Sequence, residues 1–190
     1  MNAVESAAPS TRLRALPTDE LTAREVAQIG ALLEAAFGSD QDDRFTEEDW
    51  RHAIGGRHFI LYSGELIVAH ASVVERELHV AGRPLHTGYV EAVATVPDRQ
   101  RSGFGTRVMR AVGSYIRDRF ELGALGTSHH GFYERLGWMT WRGPSFVRTT
   151  DGDRPTPDED GYIMVLPTPS SPPLVLTAPI SCEWRPGDVW

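Results

Sequence analysis

Residues 89–105 read YVEAVATVPDRQRSGFG. As far as Val96 the segment consists of small and branched apolar residues around a single carboxylate, Glu91, which is typical of a largely buried β-strand. A basic turn with glycines follows, and apolar residues between 108 and 116 then recur at helical spacing. The segment therefore predicts a strand, a turn and an amphipathic helix in that order.

The turn has the features that a diphosphate requires. These are converging backbone N–H donors, glycine where a side chain would block the approach, and the positive end of a helix dipole. Arg99, Arg101 and Arg107 add cationic groups suited to phosphate oxygens. The six residues Gln100 to Gly105 are also compatible with a glycine-rich turn that binds nothing.

The rest of the chain predicts an α/β (α+β) arrangement around this unit. Apolar residues from Val26 to Phe37 recur at helical spacing after a start near Thr18 or Asp19, and Thr46 is suited to cap a second helix. An acidic loop separates these two helices. Period-two patterns and turn residues predict further strands, over residues 58–62, 66–74, 77–80, 87–96, 122–127, 138–141 and 162–166, with a short helix over 129–135.

Composition narrows the class of protein. A chain of 190 residues with 41% hydrophobic content suits a single domain over 1–190. We expect a soluble, cytoplasmic protein that does not enter a membrane, because no stretch is long and apolar enough to span one. Cys182 is the only cysteine, which excludes an intrachain disulfide and a cysteine zinc site, and no metal is implied. The net charge of -7 argues against nucleic acid and is compatible with a cationic ligand.

The turn and its strand resemble the acetyl-CoA-binding motif of the GNAT acetyltransferases. In that motif Gln or Arg, two residues, Gly, one residue, and Gly or Ala form the pyrophosphate turn, and the elements predicted above occur in the family's order. The resemblance implies a mixed central sheet with a splayed strand pair, flanked by helices, and acetyl-CoA as cosubstrate. It also implies the residues that hold this cosubstrate, which are Val93, Ala94, Thr95, Arg99, Gln100, Arg101, Ser102, Gly103, Phe104, Gly105 and Thr106.

Acetyl transfer to an amine needs a base, an oxyanion donor and a general acid. Glu91 is the candidate base because it lies on the otherwise apolar strand, and the backbone N–H of Val93 is the candidate oxyanion donor. Tyr133, within HGFYERLGW over residues 130–138, resembles the family's general acid. The competing interpretations are an exposed edge-strand carboxylate for Glu91 and a core tyrosine for Tyr133.

Four further segments together resemble the aminoglycoside 2'-N-acetyltransferases of mycobacteria and their relatives. They are FTEEDW over 45–50, GYVEAVA over 88–94, TPDEDG over 156–161 and WRPGDVW over 184–190. This resemblance implies acetylation of an aminoglycoside antibiotic, resistance to it and a homodimer. We also expect the tail over 167–190 to fold back toward the substrate, because Trp184 and Trp190 make its end too apolar for a disordered segment. The implied substrate contacts are Asp40, Asp42, Asp43, Glu91, Ala92, Gly126, Glu159, Asp160, Asp188 and Trp190 with its α-carboxylate.

Two positions depart from that family and bear on the substrate. Gly126 stands where the relatives carry serine, and Glu159 stands where an aspartate is expected. Other functions also stay open at this point. One is a GNAT enzyme that acetylates a polyamine, a mycothiol-type precursor or a protein N-terminus. Another is a non-catalytic acyl-CoA-binding module, which would need neither Glu91 nor Tyr133.

Overall fold

The computed structural model describes residues 10–38 and 46–190. Within these residues ten strands form one sheet, accompanied by four α-helices. The helices are α1 (Ala23–Phe37), α2 (Glu47–Ala53), α3 (Phe104–Arg119) and α4 (His130–Glu134). The strands are β1 (Thr11–Pro17), β2 (Arg57–Ser63), β3 (Leu66–Val80), β4 (Arg83–Thr95), β5 (Leu122–Gly126), β6 (Met139–Thr140), β7 (Ser145–Thr149), β8 (Gly152–Pro155), β9 (Ile163–Pro167) and β10 (Ile180–Glu183).

The sheet is mixed, and its centre is formed by two long antiparallel strands. Its order is β6-β9-β5-β4-β3-β10-β7-β8, with β2 also paired to β3 and β1 paired to β2. The β4/β5 and β10/β7 pairs are parallel. Ala81 and Gly82 join β3 to β4, both at positive φ (50° and 78°), as a tight two-residue hairpin turn requires. None of the helices in the two described ranges is long and apolar enough to cross a lipid bilayer.

The parallel pair β4 and β5 separates partway along its length. Their register runs from Thr87 opposite Leu122 to Tyr89 opposite Ala124. Beyond that point the two strands no longer pair with each other in the described residues, although β4 continues to Thr95 and β5 to Gly126. The facing edges of both strands therefore carry backbone groups that no neighbouring strand uses.

Three buried apolar clusters pack on this sheet in the described residues, and two of them contain residues of both β4 and β5. The buried face of α3, from Val108 to Ile116, packs on one side in a cluster with Val90 and Leu125. A second cluster joins Trp141, Tyr89 and Trp190, and the Trp141 indole donates a hydrogen bond to the Ala178 carbonyl at 2.9 Å. The end of the chain is thus part of the core, through β10 and Trp190.

Several predicted boundaries were wrong. The first long helix begins at Ala23 rather than near Thr18, because Thr22 and Glu25 form a capping box, and Thr18–Glu20 is a short 3-10 helix. Residues 77–80 are not a separate strand but the end of β3. The strand predicted over 138–141 shortens to β6. Strands β1, β7, β8 and β10 were not predicted, because their partners are distant in sequence and short or polar strands carry little periodicity.

Near the start of α1, a buried carboxylate joins three elements. Glu25 is 7% exposed. It accepts hydrogen bonds from the Tyr62 hydroxyl, from the Arg14 guanidinium at 2.7 Å and from the Thr22 N–H at 2.9 Å. Burial raises the pKa of this carboxyl, but the hydrogen bonds from Tyr62 and Thr22 and the charge of Arg14 outweigh burial and lower the pKa to about 2.

We expect Glu25→Gln to lower the free energy of unfolding at neutral pH by about 2 kcal/mol, because it removes a carboxylate that the folded protein stabilises. The loss is not larger because Arg14 is partly exposed and its charge is screened by solvent. The folded pKa of about 2 lies below the ordinary 4.5. The contribution is therefore complete above pH 4.5 and is lost as the pH falls toward 2. Urea unfolding of both proteins between pH 7 and pH 3 should show the difference closing with acid. Glu34→Gln, exposed on the same helix, is the control, and a pH-independent difference would contradict the assignment.

Candidate active site

The turn after β4 presents backbone donors at the start of α3. It passes through a 3-10 helix over Pro97–Arg99 and reaches Gly103, the N-cap of α3. The Arg107 N–H donates the first helical hydrogen bond, to the Gly103 carbonyl at 3.0 Å. The N–H groups of residues 104–106 therefore precede the helical bonding pattern, and no side chain caps them. Such a terminus is suited to bind an anion.

The two glycines of the turn serve different physical purposes. Gly103 has φ +86°, a left-handed conformation that L side chains rarely adopt, and open space surrounds the position of its missing Cβ. Gly105 is needed for packing instead. A Cβ there would lie 3.1 Å from Thr95 Oγ1 and 3.5 Å from the Phe132 ring. The absence of a side chain at Gly105 therefore lets α3 start against β4 and α4.

The three arginines of the turn are not equivalent. Arg99 and Arg101 are exposed, whereas the Arg107 guanidinium donates hydrogen bonds to the Thr11 hydroxyl and, at 3.4 Å, to the Thr11 carbonyl. The Ser102 hydroxyl donates to the Arg99 carbonyl and closes the turn. Arg99 and Arg101 are therefore the cations available to a phosphate, while Arg107 ties α3 to β1. Gln100 is also exposed, and Phe104 and Thr106 are half-buried.

A β-bulge interrupts β4 beside the separation from β5. The register places Ser72 opposite Glu91 and His70 opposite Ala94, so that Ala71 faces both Ala92 and Val93. Ala92 has φ +51°. Neither β3 nor β5 pairs with Val93. The bulge thus changes the direction of the backbone at the predicted site residues Ala92 and Val93, next to the edge of β4 that β5 leaves unpaired. Of the residues that follow, Ala94 is buried and Thr95 is half-buried.

Glu91 is bound by an arginine of the C-terminal tail. Arg185 Nη1 donates to Glu91 Oε1 at 2.7 Å, and the two side chains are 14% and 15% exposed. Burial raises the pKa of the Glu91 carboxyl, and the charge and hydrogen bond of Arg185 and the charges of Arg76 and His52 partly oppose this effect. The sequence analysis did not predict a role for Arg185, although it lies in the WRPGDVW motif. A single cation between Glu183 and Asp188 was the feature that could have drawn attention to it.

The tail is held on the other side by α2. The His52 ring shares a hydrogen bond of 2.8 Å with the Pro186 carbonyl, and Gly187 lies against Glu48. Arg185 Nε also donates to the Asp188 carbonyl at 2.7 Å. Residues 185–188 are therefore connected both to α2 and to Glu91 on β4.

Tyr133 lies in the core at the end of α4. Its side chain is 7% exposed, with edge-to-face ring contacts to Phe132 and Trp138 at centroid distances of 4.9 and 6.1 Å. No hydrogen bond within the described chain engages its hydroxyl. Burial raises the pKa of this phenol well above its ordinary value, so it stays protonated at neutral pH. Both the predicted acid and the competing core tyrosine fit this burial.

Trp190 lies beside Gly126 at the end of β5, next to the opening between β4 and β5. Its indole donates to Thr156 Oγ1 at 3.0 Å and is buried. Its backbone carbonyl lies 3.9 Å from where a Cβ of Gly126 would stand, and the Tyr89 hydroxyl lies 3.7 Å from the same point. That hydroxyl is buried and has no hydrogen-bond partner among the residues described. Sequence reasoning missed Tyr89, because an unpartnered hydroxyl leaves no mark in a sequence.

The predicted acidic contacts divide into different groups. Glu159 is half-buried, and burial followed by the charges of Asp188 and Asp158 raises the pKa of its carboxyl. Asp160 Oδ1 instead accepts from the Ser145 N–H and hydroxyl, both at 2.8 Å, which fixes the start of β7. The early-loop candidates lie outside the described residues; they are Asp40, Asp42 and Asp43.

Comparison with known proteins identifies the family. The Acetyltransferase (GNAT) domain family matches residues 18–140. The chain therefore belongs to the GNAT acetyltransferases and is an acetyl-CoA-dependent N-acetyltransferase. A curated relative, the aminoglycoside 2'-N-acetyltransferase of Mycolicibacterium fortuitum, is 45% identical over 151 residues, which cover 77% of each protein. These matches confirm the resemblance inferred from the sequence.

Solved structures confirm the fold. A GNAT family acetyltransferase from Brucella melitensis in complex with acetyl-CoA has a TM-score of 0.59 at 16% identity, over 87% of this chain and 92% of that one. The ribosomal-protein-S18-alanine N-acetyltransferase of Escherichia coli has a TM-score of 0.58 at 20% identity, over 86% and 96%. Against a GCN5-related N-acetyltransferase from Kribbella flavida (TM-score 0.56, 22% identity), 70% of this chain covers only 34% of that protein.

We expect Arg185→Met to raise the pKa of Glu91 further, because it removes the nearest opposing cation while the carboxyl stays buried. Glu91 would then be protonated over a wider range of pH. Titration of the carboxyl carbon of Glu91 by NMR between pH 4 and pH 8 measures this shift. Arg142→Met removes an exposed arginine and is the matched control. An unchanged or lowered pKa in Arg185→Met would show that the ion pair does not set the charge of Glu91.

Proposed function

We propose that this chain transfers the acetyl group of acetyl-CoA to the 2'-amino group of an aminoglycoside antibiotic and so confers resistance. The observation that carries the proposal is the 45% identity to the Mycolicibacterium fortuitum enzyme of that name. In the structure, the proposal is supported by the kind of side chains near the opening between β4 and β5. A polycationic, hydroxyl-rich ligand needs carboxylates and polar groups rather than an apolar wall. Glu91 lies on β4 where it separates from β5, and Trp190 lies beside Gly126 at the end of β5. The Trp190 indole also contacts Thr156, which is the N-cap residue of the 3-10 helix that carries Glu159.

Glu91 serves as the general base in this proposal. An ammonium group must lose a proton before it attacks a thioester, and a carboxylate next to it accepts that proton directly or through water. Burial raises the pKa of Glu91, which makes it a stronger proton acceptor than an exposed glutamate. The Arg185 ion pair opposes that rise in pKa and favours the ionised carboxylate. The base is thus poised between two opposing influences.

Val93 and Tyr133 complete the proposed chemistry. The Val93 N–H, which lies in the bulge and outside both strand registers, donates to the thioester oxygen as negative charge develops there. The Tyr133 phenol, which stays protonated because burial raises its pKa, donates a proton to the departing thiolate. When bound, acetyl-CoA supplies the activated acetyl group.

The residues of the turn fit the diphosphate of acetyl-CoA. The unbonded amides at the start of α3, the left-handed Gly103 and the exposed Arg99 and Arg101 are the groups that an anion requires. In this proposal the backbone of Val93, Ala94 and Thr95 meets the pantetheine arm, and Gln100 to Thr106 enclose the phosphates.

The substrate contacts are proposed from the rim of the same opening. Glu159 and Asp188 influence each other electrostatically, so two carboxylates lie close enough there to attract an ammonium group. The orphan Tyr89 hydroxyl beside Gly126 offers a hydrogen bond to a ligand, and burying such a group unsatisfied costs about 1–3 kcal/mol. The roles of Asp40, Asp42 and Asp43 and the homodimer stay predictions.

The choice of acceptor tests the proposed substrate. Tobramycin and gentamicin carry a 2'-amine, whereas kanamycin A has a hydroxyl there. We expect the first two to gain a single acetyl group by mass spectrometry, with NMR placing it on the 2'-nitrogen, and kanamycin A to stay unmodified. Equal modification of kanamycin A, or turnover with a polyamine and not with tobramycin, would overturn this substrate while leaving the enzyme class intact.

Substitution tests the two proposed catalytic side chains. Glu91→Gln should lower kcat with tobramycin by about 10²–10⁴-fold, and Tyr133→Phe by a similar or smaller factor, since each removes one proton transfer. Glu75→Gln and Tyr162→Phe are exposed controls of the same chemistry and should keep wild-type kcat. Thermal melting verifies that each variant is folded. Folded Glu91→Gln and Tyr133→Phe proteins with wild-type kcat would refute this mechanism.

A further inference from the structure

A chain of largely buried hydrogen bonds leads from the 3-10 helix over Thr18–Glu20 to the bulge in β4. The Thr18 hydroxyl and His58 Nε2 are 2.8 Å apart, His58 Nδ1 and His70 Nε2 are 2.9 Å apart, and His70 Nδ1 and the Ala92 carbonyl are 2.8 Å apart. Both histidine rings are completely buried, and they contact each other at a centroid distance of 5.2 Å. We call the two rings the histidine relay.

When both rings are neutral, only one assignment of donors and acceptors fits the hydrogen bonds of the relay. The Ala92 carbonyl only accepts, so His70 Nδ1 must carry a hydrogen, and neutral His70 then accepts at Nε2. His58 therefore donates from Nδ1 and accepts at Nε2 from the Thr18 hydroxyl. Thr18 Oγ1 in turn accepts from the Gly55 N–H at 2.9 Å. Every polar atom of the two rings is satisfied by this arrangement.

Burial favours the neutral rings. It lowers the pKa of His58 to about 4. It also lowers the pKa of His70, together with the charge of His58 and against the hydrogen bond to Ala92, to about 3. Two adjacent buried cations would have no counter-charge in this chain of bonds. The relay is therefore a fixed set of donors and acceptors at neutral pH.

The end point of the relay matters because of the peptide to which it belongs. Ala92 lies in the bulge, where the single residue Ala71 stands opposite both Ala92 and Val93 and regular pairing is interrupted. Its φ of +51° is unusual for a residue with a side chain. The Ala92 carbonyl and the Val93 N–H form one planar peptide. A donor that holds this carbonyl therefore fixes the direction of that N–H, and it polarises the N–H as well.

A second side chain of β3 holds the preceding carbonyl. The Ser72 hydroxyl, fully buried, lies 3.4 Å from the carbonyl oxygen of Glu91. This distance is longer than the 2.8 Å between His70 Nδ1 and the Ala92 carbonyl oxygen. The stronger constraint on the bulge thus comes from His70.

We propose that His58 and His70 are positioning residues for acetyl transfer, which hold the Ala92–Val93 peptide so that its N–H faces the thioester oxygen. This inference rests on the proposed role of Val93 as oxyanion donor. The histidines do not touch a reactant and transfer no proton. They act through the backbone of the bulge.

Substitution of His70 separates positioning from simple packing. His70→Asn keeps a donor near the place of Nδ1, whereas His70→Leu fills the space without one. With tobramycin as acceptor, we expect His70→Leu to lower kcat about tenfold or more, as loss of transition-state stabilisation does, and His70→Asn to stay within about threefold of wild type. The KM for acetyl-CoA should change little in both, because the phosphate turn is untouched.

Melting temperatures provide the readout of packing. Both variants leave the His58 Nδ1–H without its partner, so both should melt at lower temperature than wild type. His79→Asn, on the same strand but partly exposed, is the control and should keep wild-type kcat. Equal kcat in folded His70→Leu and His70→Asn would show that the ring only packs, and would overturn the proposal.

The tautomers test the relay without any acceptor. Nitrogen NMR of histidine-labelled wild-type protein at pH 7 should show both buried rings neutral with hydrogen on Nδ1, and the His70→Asn spectrum assigns one of them. A cationic ring, or hydrogen on His70 Nε2, would overturn the relay. Wild-type protein that leaves tobramycin unmodified would contradict the proposed function instead, and the tautomers would still decide the relay.

Discussion

The separation of β4 from β5 after Tyr89 is the constraint on which the site depends. Two parallel strands that stayed paired to Thr95 would use the backbone groups that a ligand needs, and the helix following β4 would start against a closed sheet. Because the strands part, one edge of β4 is free over the length of the bulge. β4 then leads through the glycine turn into α3, so the free edge of the strand and the uncapped start of the helix are close together in the chain.

The electrostatics of the site follow from burial. A carboxylate on an apolar strand resists ionisation, and a cation brought close to it partly restores the charge. Here the cation is Arg185 of the C-terminal tail. It donates to the Asp188 carbonyl, and the neighbouring Pro186 is bound to His52 of α2. The proton affinity of Glu91, the proposed base, is thus set by burial on one side and by the charge of Arg185 on the other. An acidic chain with net charge -7 thus holds a largely buried cation next to the proposed base.

Backbone strain and buried polarity meet at the bulge. Ala92 adopts a left-handed φ of 51°, which costs energy for a residue with a Cβ. The histidine relay and Ser72 supply hydrogen bonds to the two carbonyls of this segment. Neither histidine lies in a motif that pointed to function, since each is one residue among the apolar side chains of β2 and β3. Only the three-dimensional arrangement connects them with β4.

The elements around the central strand and turn, and the family, could be predicted from the sequence, because both depend on short-range patterns. The strand, turn and helix of 89–116 are encoded by periodicity and glycine placement, and four short motifs were enough to indicate the relatives. The tertiary structure decided what meets what. It left the buried Tyr89 hydroxyl without a hydrogen-bond partner among the described residues. The pairing of Arg185 with Glu91, the use of Asp160 in holding β7 and the insertion of β10 between β3 and β7 join residues distant in sequence. Such contacts arise only when the sheet closes, because burial and strand order, rather than local preference, determine which charges and hydroxyls lose water.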